Sequence, residues 1–267
     1  MQQQHAQRSE TDLTKYVADN LYIGTAGWSL ARAASKEFPS EGTHLERYAS
    51  IFPAVEINSS FHRPHKPSTY ERWAAAVPDK FRFAVKVPKT ITHEKRLANA
   101  TGPLHAFLGE VSSLGHKLGC LLVQLPPSLE FEATVSESFF SVLQSTYSGD
   151  VFLEPRHNSW FGLSANRLLQ DLRIGRVAAD PAVIPVAAEP GGSPGKVYYR
   201  LHGSPQIYYS AYTEGYLDGL AFRLRAYARA GVPVWCMFDN TIRGAATLNA
   251  LYVTRKIARS EVGEGRR

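Results

Sequence analysis

Glu154, Arg156 and His157 stand within four residues of one another in VFLEPRHNSW (151–160), behind an apolar run. A carboxylate, a guanidinium and an imidazole at that spacing are the groups that hold an anion and move protons. Comparable groups close other apolar runs. They are Glu56 and Asn58 in AVEINSS (54–60), Lys86 in FRFAVKV (81–87), Gln124 in GCLLVQL (119–125), Asp180 in RVAAD (176–180), Arg200 and His202 in VYYRLHG (197–203), and Asp239 in VPVWCMFDN (232–240). Glu56, Glu154 and Asp180 are the candidate catalytic acids or bases, with His202 or His93 moving protons. Lys86, Arg156 and Arg200 suit a phosphate or carboxylate, and the arginines offer bidentate forks. Lys86 is alternatively a Schiff-base nucleophile. Asn58, His93, Gln124, Arg156, His157, Trp160, Arg200 and Asp239 form the expected substrate-binding set, beside the catalytic set Glu56, Lys86, Glu154, Asp180 and His202.

These residues need a frame. Eight short β-branched or aromatic runs recur along the chain, the first being LYIGTAG (21–27). Between them lie segments with apolar residues at helical spacing, among them HLERYASIF, STYERWAAAV, ANRLLQDLRI and LDGLAFRLRAYARA. Strands alternating with helices predict parallel strands joined by crossovers. Eight such units predict an α/β fold, a TIM-like (β/α)₈ barrel in a single domain, with an open doubly wound sheet as the alternative. The expected barrel domain covers 21–255, between flexible tails at 1–20 and 256–267. The Pro/Gly-rich IPVAAEPGGSPGK (184–196) reads as a long loop and a candidate lid.

Side chains alternate faces along a strand. Val55 and Ile57 oppose Glu56 and Asn58. Phe83 and Val85 oppose Ala84 and Lys86. Val151 and Leu153 oppose Phe152, Glu154 and Arg156. Tyr199 and Leu201 oppose Tyr198, Arg200 and His202. Each tested run has one mainly apolar face. With Arg82, near the start of its strand, as the exception, the polar groups gather mostly toward the C-terminal end of the other. That end of a (β/α)₈ barrel is where ligands are handled. On this parity Asp180 joins the ring with Ala178, and His157 falls outside it or enters the loop. Cys120 falls on the ring's face as filler, and Cys236 on the opposite face as core.

Several of these groups have plain structural alternatives. Glu56 with Lys86, or Glu154 with Arg200, would serve as buried pairs, Trp160 would pack under its loop, and Asn240 would cap the helix that follows. Buried ion pairs stabilise poorly compared with apolar packing, which favours a site. A divalent metal on the carboxylate–histidine set, as in a phosphoesterase or endonuclease-like barrel, is the weaker reading. No HxH or HExxH pair nucleates it, and three interleaved cations reduce the field a metal needs. The other class is a nucleic-acid-binding module, with Trp28, Phe61, Trp160, Tyr208 and Tyr212 as stacking candidates.

The 267 residues carry a net charge of +6, with 44% hydrophobic and 20% charged residues. This is ordinary globular composition, mildly favouring a small anionic partner or nucleic acid. Two cysteines make no disulfide framework, so a reducing compartment is expected. MQQQHAQRSETD has no apolar signal core, and no run approaches the ~20 residues of a membrane span, so a cytoplasmic location and no membrane partner are expected. IGTAG (23–27) lacks both the GK[ST] ending of a P-loop and the GxGxxG spacing of a dinucleotide fold. No GxSxG motif is present. Cofactor and oligomeric state are left open.

The same residues resemble the YecE-like family, the domain of unknown function numbered seventy-two. The matching pieces are IGTAGWS (23–29), YASIFPAVEINSSFHRP (48–64), FRFAVKVPKTITHEKRL (81–97), LGCLLVQLPPS (118–128), EPRHNSW (154–160), YYRLHG (198–203) and MFDNTIRGAATLNA (237–250). The resemblance implies a TIM-barrel-like single domain and no established reaction. Two segments depart from the family's pattern. Phe61-His62-Arg63 stands where many members carry Phe-Tyr-Arg, and AASKEFPS (33–40) replaces a Trp-Gly-x-Phe-Tyr-Pro segment.

Overall fold

A computed structural model describes residues 18–264. Among them, strands β1 (Leu21–Thr25), β2 (Ala54–Ile57), β3 (Arg82–Lys86), β4 (Leu118–Gln124) and β5 (Asp150–Glu154) alternate with helices α1 (His44–Ala49), α2 (Pro67–Ala75), α3 (Thr101–Val111) and α4 (Ala133–Thr146). Next come α5 (Leu163–Asp171), the short strands β6 (Gly175–Arg176), β7 (Ala178–Asp180) and β8 (Gly191–Gly192), then β9 (Val197–Leu201), α6 (Glu214–Arg229), β10 (Val234–Phe238) and α7 (Ala245–Glu264). Local chemistry starts the helices. Thr43 and Glu46 form a reciprocal capping box on α1, and the Glu132 carboxylate caps α4.

The strands form two hydrogen-bonded sheets, β1-β10-β9-β7 and β2-β3-β4-β5-β6-β8, parallel throughout except for the antiparallel β6–β8 pair. A parallel bridge from Ala26 to Glu56 links the end of β1 to β2. The chain passes from one sheet to the other through Val177, whose N–H donates to the Leu153 carbonyl. The result is a mixed α/β fold in one domain, with the parallel strands ending on one side.

Alternation along the strands divides the interior into two apolar clusters. The larger joins Val55, Ile57, Phe83, Val85, Val151 and Leu153 to the helices, so it is the strand–helix layer. The smaller takes Ala54, Ala84, Leu122 and Phe152 from one sheet and Tyr198, Trp235 and Met237 from the other. The two sheets therefore face each other across it. Cys120 lies in this inner cluster and Cys236 in the outer one, as their parity requires, and both are buried free thiols. Gly119 is needed here, because a Cβ would come within 2.5 Å of the Trp235 ring.

Two expectations are corrected. The 184–196 segment is not a free lid. Its Gly191–Gly192 pairs with Gly175–Arg176, the first residues of the sixth strand segment, and Pro185–Ala188 forms a turn of 3₁₀ helix. Nor does a loose tail begin at 256, since α7 runs on to Glu264 and buries Ile257 and Ala258. The rest of both expected tails, 1–17 and 265–267, lies outside the described residues.

Candidate active site

On the inner face, directly above the apolar cluster, seven polar side chains meet at the C-terminal ends of the strands. Glu56 is the third residue of β2, Lys86 ends β3 and Glu154 ends β5. Arg200 stands one residue before the end of β9, while His202 and Asp239 are each the first residue past their strands, β9 and β10. Arg156 follows two residues after Glu154. Because one strand residue in two faces inward, all but the loop residues were set there by alternation alone.

Arg200 is the hub and is only 1% exposed. Its Nε and Nη2 clamp Glu56 at 3.0 and 2.7 Å, Nη1 reaches Glu154 at 3.2 Å, and Nη2 lies 3.0 Å from Asp239. The Tyr198 hydroxyl also donates to Glu56 Oε2, the oxygen that receives Arg200 Nε, at 2.7 Å. Burial alone would raise the Glu154 carboxyl, but Arg156, Arg200 and His202 outweigh it and hold that group well below the usual range. Asp239 is likewise held down against its burial, chiefly by Arg200.

His202 bridges the two carboxylates. Its Nδ1 lies 3.0 Å from Asp239 and its Nε2 2.8 Å from Glu154 Oε1. The same Nε2 is 2.7 Å from Arg156 Nη2, which also donates to Glu154 Oε1 at 2.5 Å. Nε2 thus faces an acceptor and a donor at once. Protonated, it gives to Glu154; neutral, it receives from Arg156. Neither state strands a buried group. The Tyr208 ring stands edge-on to His202 with centroids 5.8 Å apart. Tyr208 holds a left-handed φ of 70°, unusual for a residue with a side chain, and its N–H is tied to the His202 carbonyl. Gly203 makes this turn possible at φ 96°, where a Cβ would lie 2.8 Å from the Ser210 carbonyl oxygen.

Lys86 differs from the arginines. Among the described residues its Nζ makes no hydrogen bond and no ion pair, and its one close partner is the Phe61 ring, 4.0 Å from the centroid. The residue is 6% exposed. Burial and then the Arg200 charge pull its amine down to about 8, against the pull of Glu56, Glu154 and Asp239. His93 packs edge-on to Phe61 with centroids 4.9 Å apart, and burial followed by the Lys86 charge lowers its imidazole. Asn58, just past β2, has a buried Oδ1 without a partner, and so has Arg156 a buried Nε.

Three expected residues lie apart from this cluster, and Gln124 stands beside it without a contact to its side chains. Asp180 faces the opposite way: Val177 belongs to the inner cluster, so Asp180 shares the outer parity of Ala178 and accepts the Tyr212 hydroxyl at 2.8 Å. Gln124 stands in register beside Glu154 on the inward parity, and its amide reaches only the next carbonyl, at 3.5 Å. His157 caps the short turn Asn158–Phe161 by accepting the Ser159 N–H. Trp160 is buried under that loop, its Nε1 donating to Leu129. In the other direction, Tyr198 and Phe61 belong to the cluster but not to the expected set. Tyr198 shares the parity of Arg200 and was legible on that ground. Asn240 spends its amide on the Ser210 carbonyl and on Asn249.

Among the described residues no group of three His, Cys, Asp or Glu side chains is arranged to hold a metal ion. Each of the three carboxylates is already engaged by Arg200. No described helix is long and apolar enough to cross a membrane.

Comparisons with known proteins agree with this architecture. Residues 22–265 match the family described as "Protein of unknown function DUF72". The Escherichia coli K12 protein named UPF0759 protein YecE is 30% identical over 166 residues, covering 60% of this chain and 59% of that protein. Bacillus subtilis UPF0759 protein YunF is 28% identical over 149 residues, 53% of this chain and 52% of YunF. The aligned part of the chain thus spans only a little over half of these relatives. Crystal structures of DUF72 proteins from Enterococcus faecalis V583 and Thermotoga maritima MSB8 superpose with TM-scores of 0.74 and 0.72 at 21% and 22% identity, covering 89% and 88% of this chain and 95% and 98% of theirs. The chain belongs to the DUF72 family.

Proposed function

We propose that this protein is an enzyme acting on a small anionic molecule, carboxylated or phosphorylated, at the C-terminal mouth of a closed (β/α)₈ barrel. Closure is supported by the Ala26–Glu56 bridge on one side and by the passage through Val177 on the other. The observation that carries the enzymatic reading is the position of His202. Its Nε2 has a partner in either protonation state, so a proton can be added or removed without leaving a buried group unsatisfied. Asp239 fixes the ring through Nδ1, and the Glu154 carboxylate accepts from Nε2 when the ring is protonated. Arg156, 15% exposed and with its Nε unpaired, turns toward the incoming anion, while Asn58 and His93 line the rim. Glu56, Tyr198 and Arg200 form the fixed floor.

Charge balance makes the reading specific. Glu56, Glu154 and Asp239 offset Arg200, Arg156 and Lys86, so an added anion is accommodated best with uptake of a proton by the site. Calorimetric titration with oxalate, in two buffers of different ionisation enthalpy, tests this. Binding with uptake of roughly one proton, weakened at least tenfold in Arg156→Met, is expected. Undetectable binding, or binding with no proton uptake and no effect of Arg156→Met, would refute it.

A further inference from the structure

Of the three cations in the cluster, two are paired with carboxylates. Arg200 is held by three carboxylates and Arg156 by Glu154. Lys86 alone has no carboxylate on its nitrogen, although Glu56, Glu154 and Asp239 all act on it through space. Its backbone is fixed: the carbonyl accepts the Ser60 hydroxyl at 2.7 Å, and Val87 N–H bonds to Leu122. The side chain therefore leaves a rigid strand end and stops against the Phe61 face, with its amine at the rim of the site. A lysine meant only to attract an anion, or to neutralise a carboxylate, gains from a close counter-charge that keeps it protonated. Nothing of that kind touches this nitrogen.

We propose that Lys86 is a nucleophile that forms a Schiff base with a small aldehyde or ketone bearing a carboxylate or phosphate. The proposal rests on the anion-site reading above and names the class of substrate for it. In the step, the neutral Lys86 Nζ adds to the carbonyl carbon and the carbonyl oxygen becomes a hydroxyl. Loss of that hydroxyl with the second N–H hydrogen as water leaves the C=N bond, which takes up one proton. Amine and carbonyl give imine and water, with no change in oxidation level and no co-reactant. The anionic group lies toward Arg156. The electrostatic surroundings favour the reactive form: burial and Arg200 lower the amine to about 8, opposed by Glu56, Glu154 and Asp239, while His93 and His62 pack on the Phe61 ring beside it. At pH 7 that leaves about a tenth of the lysine neutral, against well under a thousandth for an exposed one.

The test is reductive trapping on the full chain. Protein is incubated at pH 7 with glyoxylate, pyruvate or dihydroxyacetone phosphate and sodium cyanoborohydride, then read by intact mass and peptide mapping. The expected result is a gain equal to the mass of the carbonyl compound less one oxygen atom, mapped to Lys86, with labelling at least tenfold faster than at exposed lysines and a rate that rises toward a midpoint near pH 8. Lys86→Met loses that adduct, while Lys86→Arg provides a second variant that keeps the charge and also loses it; melting curves confirm that each is folded. If oxalate binds by calorimetry but Lys86 labels no faster than exposed lysines with all three compounds, the Schiff-base proposal is overturned and the anion site stands. If neither oxalate binding nor labelling is seen, both readings are overturned.

Discussion

The inner face of the two sheets has a lower and an upper half built on the same strands, and they obey different rules. Below, Tyr22 stacks on Trp235 at 4.5 Å, and Phe152 and Tyr198 pack at 5.1 Å in an apolar cluster of ordinary core chemistry. One step up the same strands, Ala54 gives way to Glu56, Ala84 to Lys86, Phe152 to Glu154, Tyr198 to Arg200 and Met237 to Asp239. Tyr198 joins the halves, with its ring below and its hydroxyl on Glu56. Apolar packing would stabilise the upper half at least as well as buried ion pairs do. The contrast therefore separates residues kept for folding from residues whose presence needs another reason.

Substitutions sharpen this contrast, beginning with the largest effect. Arg200→Met leaves three buried carboxylates without their shared cation and is expected to cost about 3–5 kcal/mol at neutral pH. Without the guanidinium the pull that holds Glu154 and Asp239 down is weakened, so the variant's deficit in urea unfolding shrinks as pH falls. In the lower half, Leu122→Ala costs about 2–5 kcal/mol through lost contacts and a cavity, with no such recovery in acid. A deficit with the same pH dependence in both variants would dissolve the distinction.

Lys86→Met reverses the sign. The folded-state amine is lowered from 10.5 to about 8, so between those values the unfolded chain binds more protons and wild-type stability rises with pH. Near pH 7 the variant is expected to be more stable by about 3 kcal/mol, and the gap to close as pH climbs from about 8 toward 10.5. Parallel denaturation series at pH 7 and pH 10 measure it. Smallest is Asp180→Asn, expected within about 1 kcal/mol because an amide oxygen still accepts the Tyr212 hydroxyl, with oxalate binding unchanged. Loss of oxalate binding in that variant would return Asp180 to the site.

Much of this site could be read from strand parity. Glu56, Lys86, Glu154, Arg200, His202 and Asp239 sit where alternation puts them, because each strand has one unmistakably apolar face. Parity failed for Asp180, since RVAAD has small apolar residues on both faces and the lone aspartate drew the assignment; Val177 holds the inner position instead. His157 and Trp160 lie in the loop after β5, where alternation no longer applies and local capping and burial decide. Phe61 came to Lys86 through a short 3₁₀ turn at Ser59–Phe61, which strand periodicity does not describe. That Arg200 is a hub rather than a free substrate fork depends on side-chain reach across the two sheets, which no single strand encodes.

The most direct measurement is urea unfolding of wild type and Lys86→Met at pH 7, each with and without glyoxylate. The upper half being kept for a ligand at the expense of stability predicts a variant at least as stable as wild type and unresponsive to glyoxylate, beside a wild type that glyoxylate stabilises. A variant that is less stable than wild type and responds to glyoxylate equally would show that Lys86 serves the fold instead.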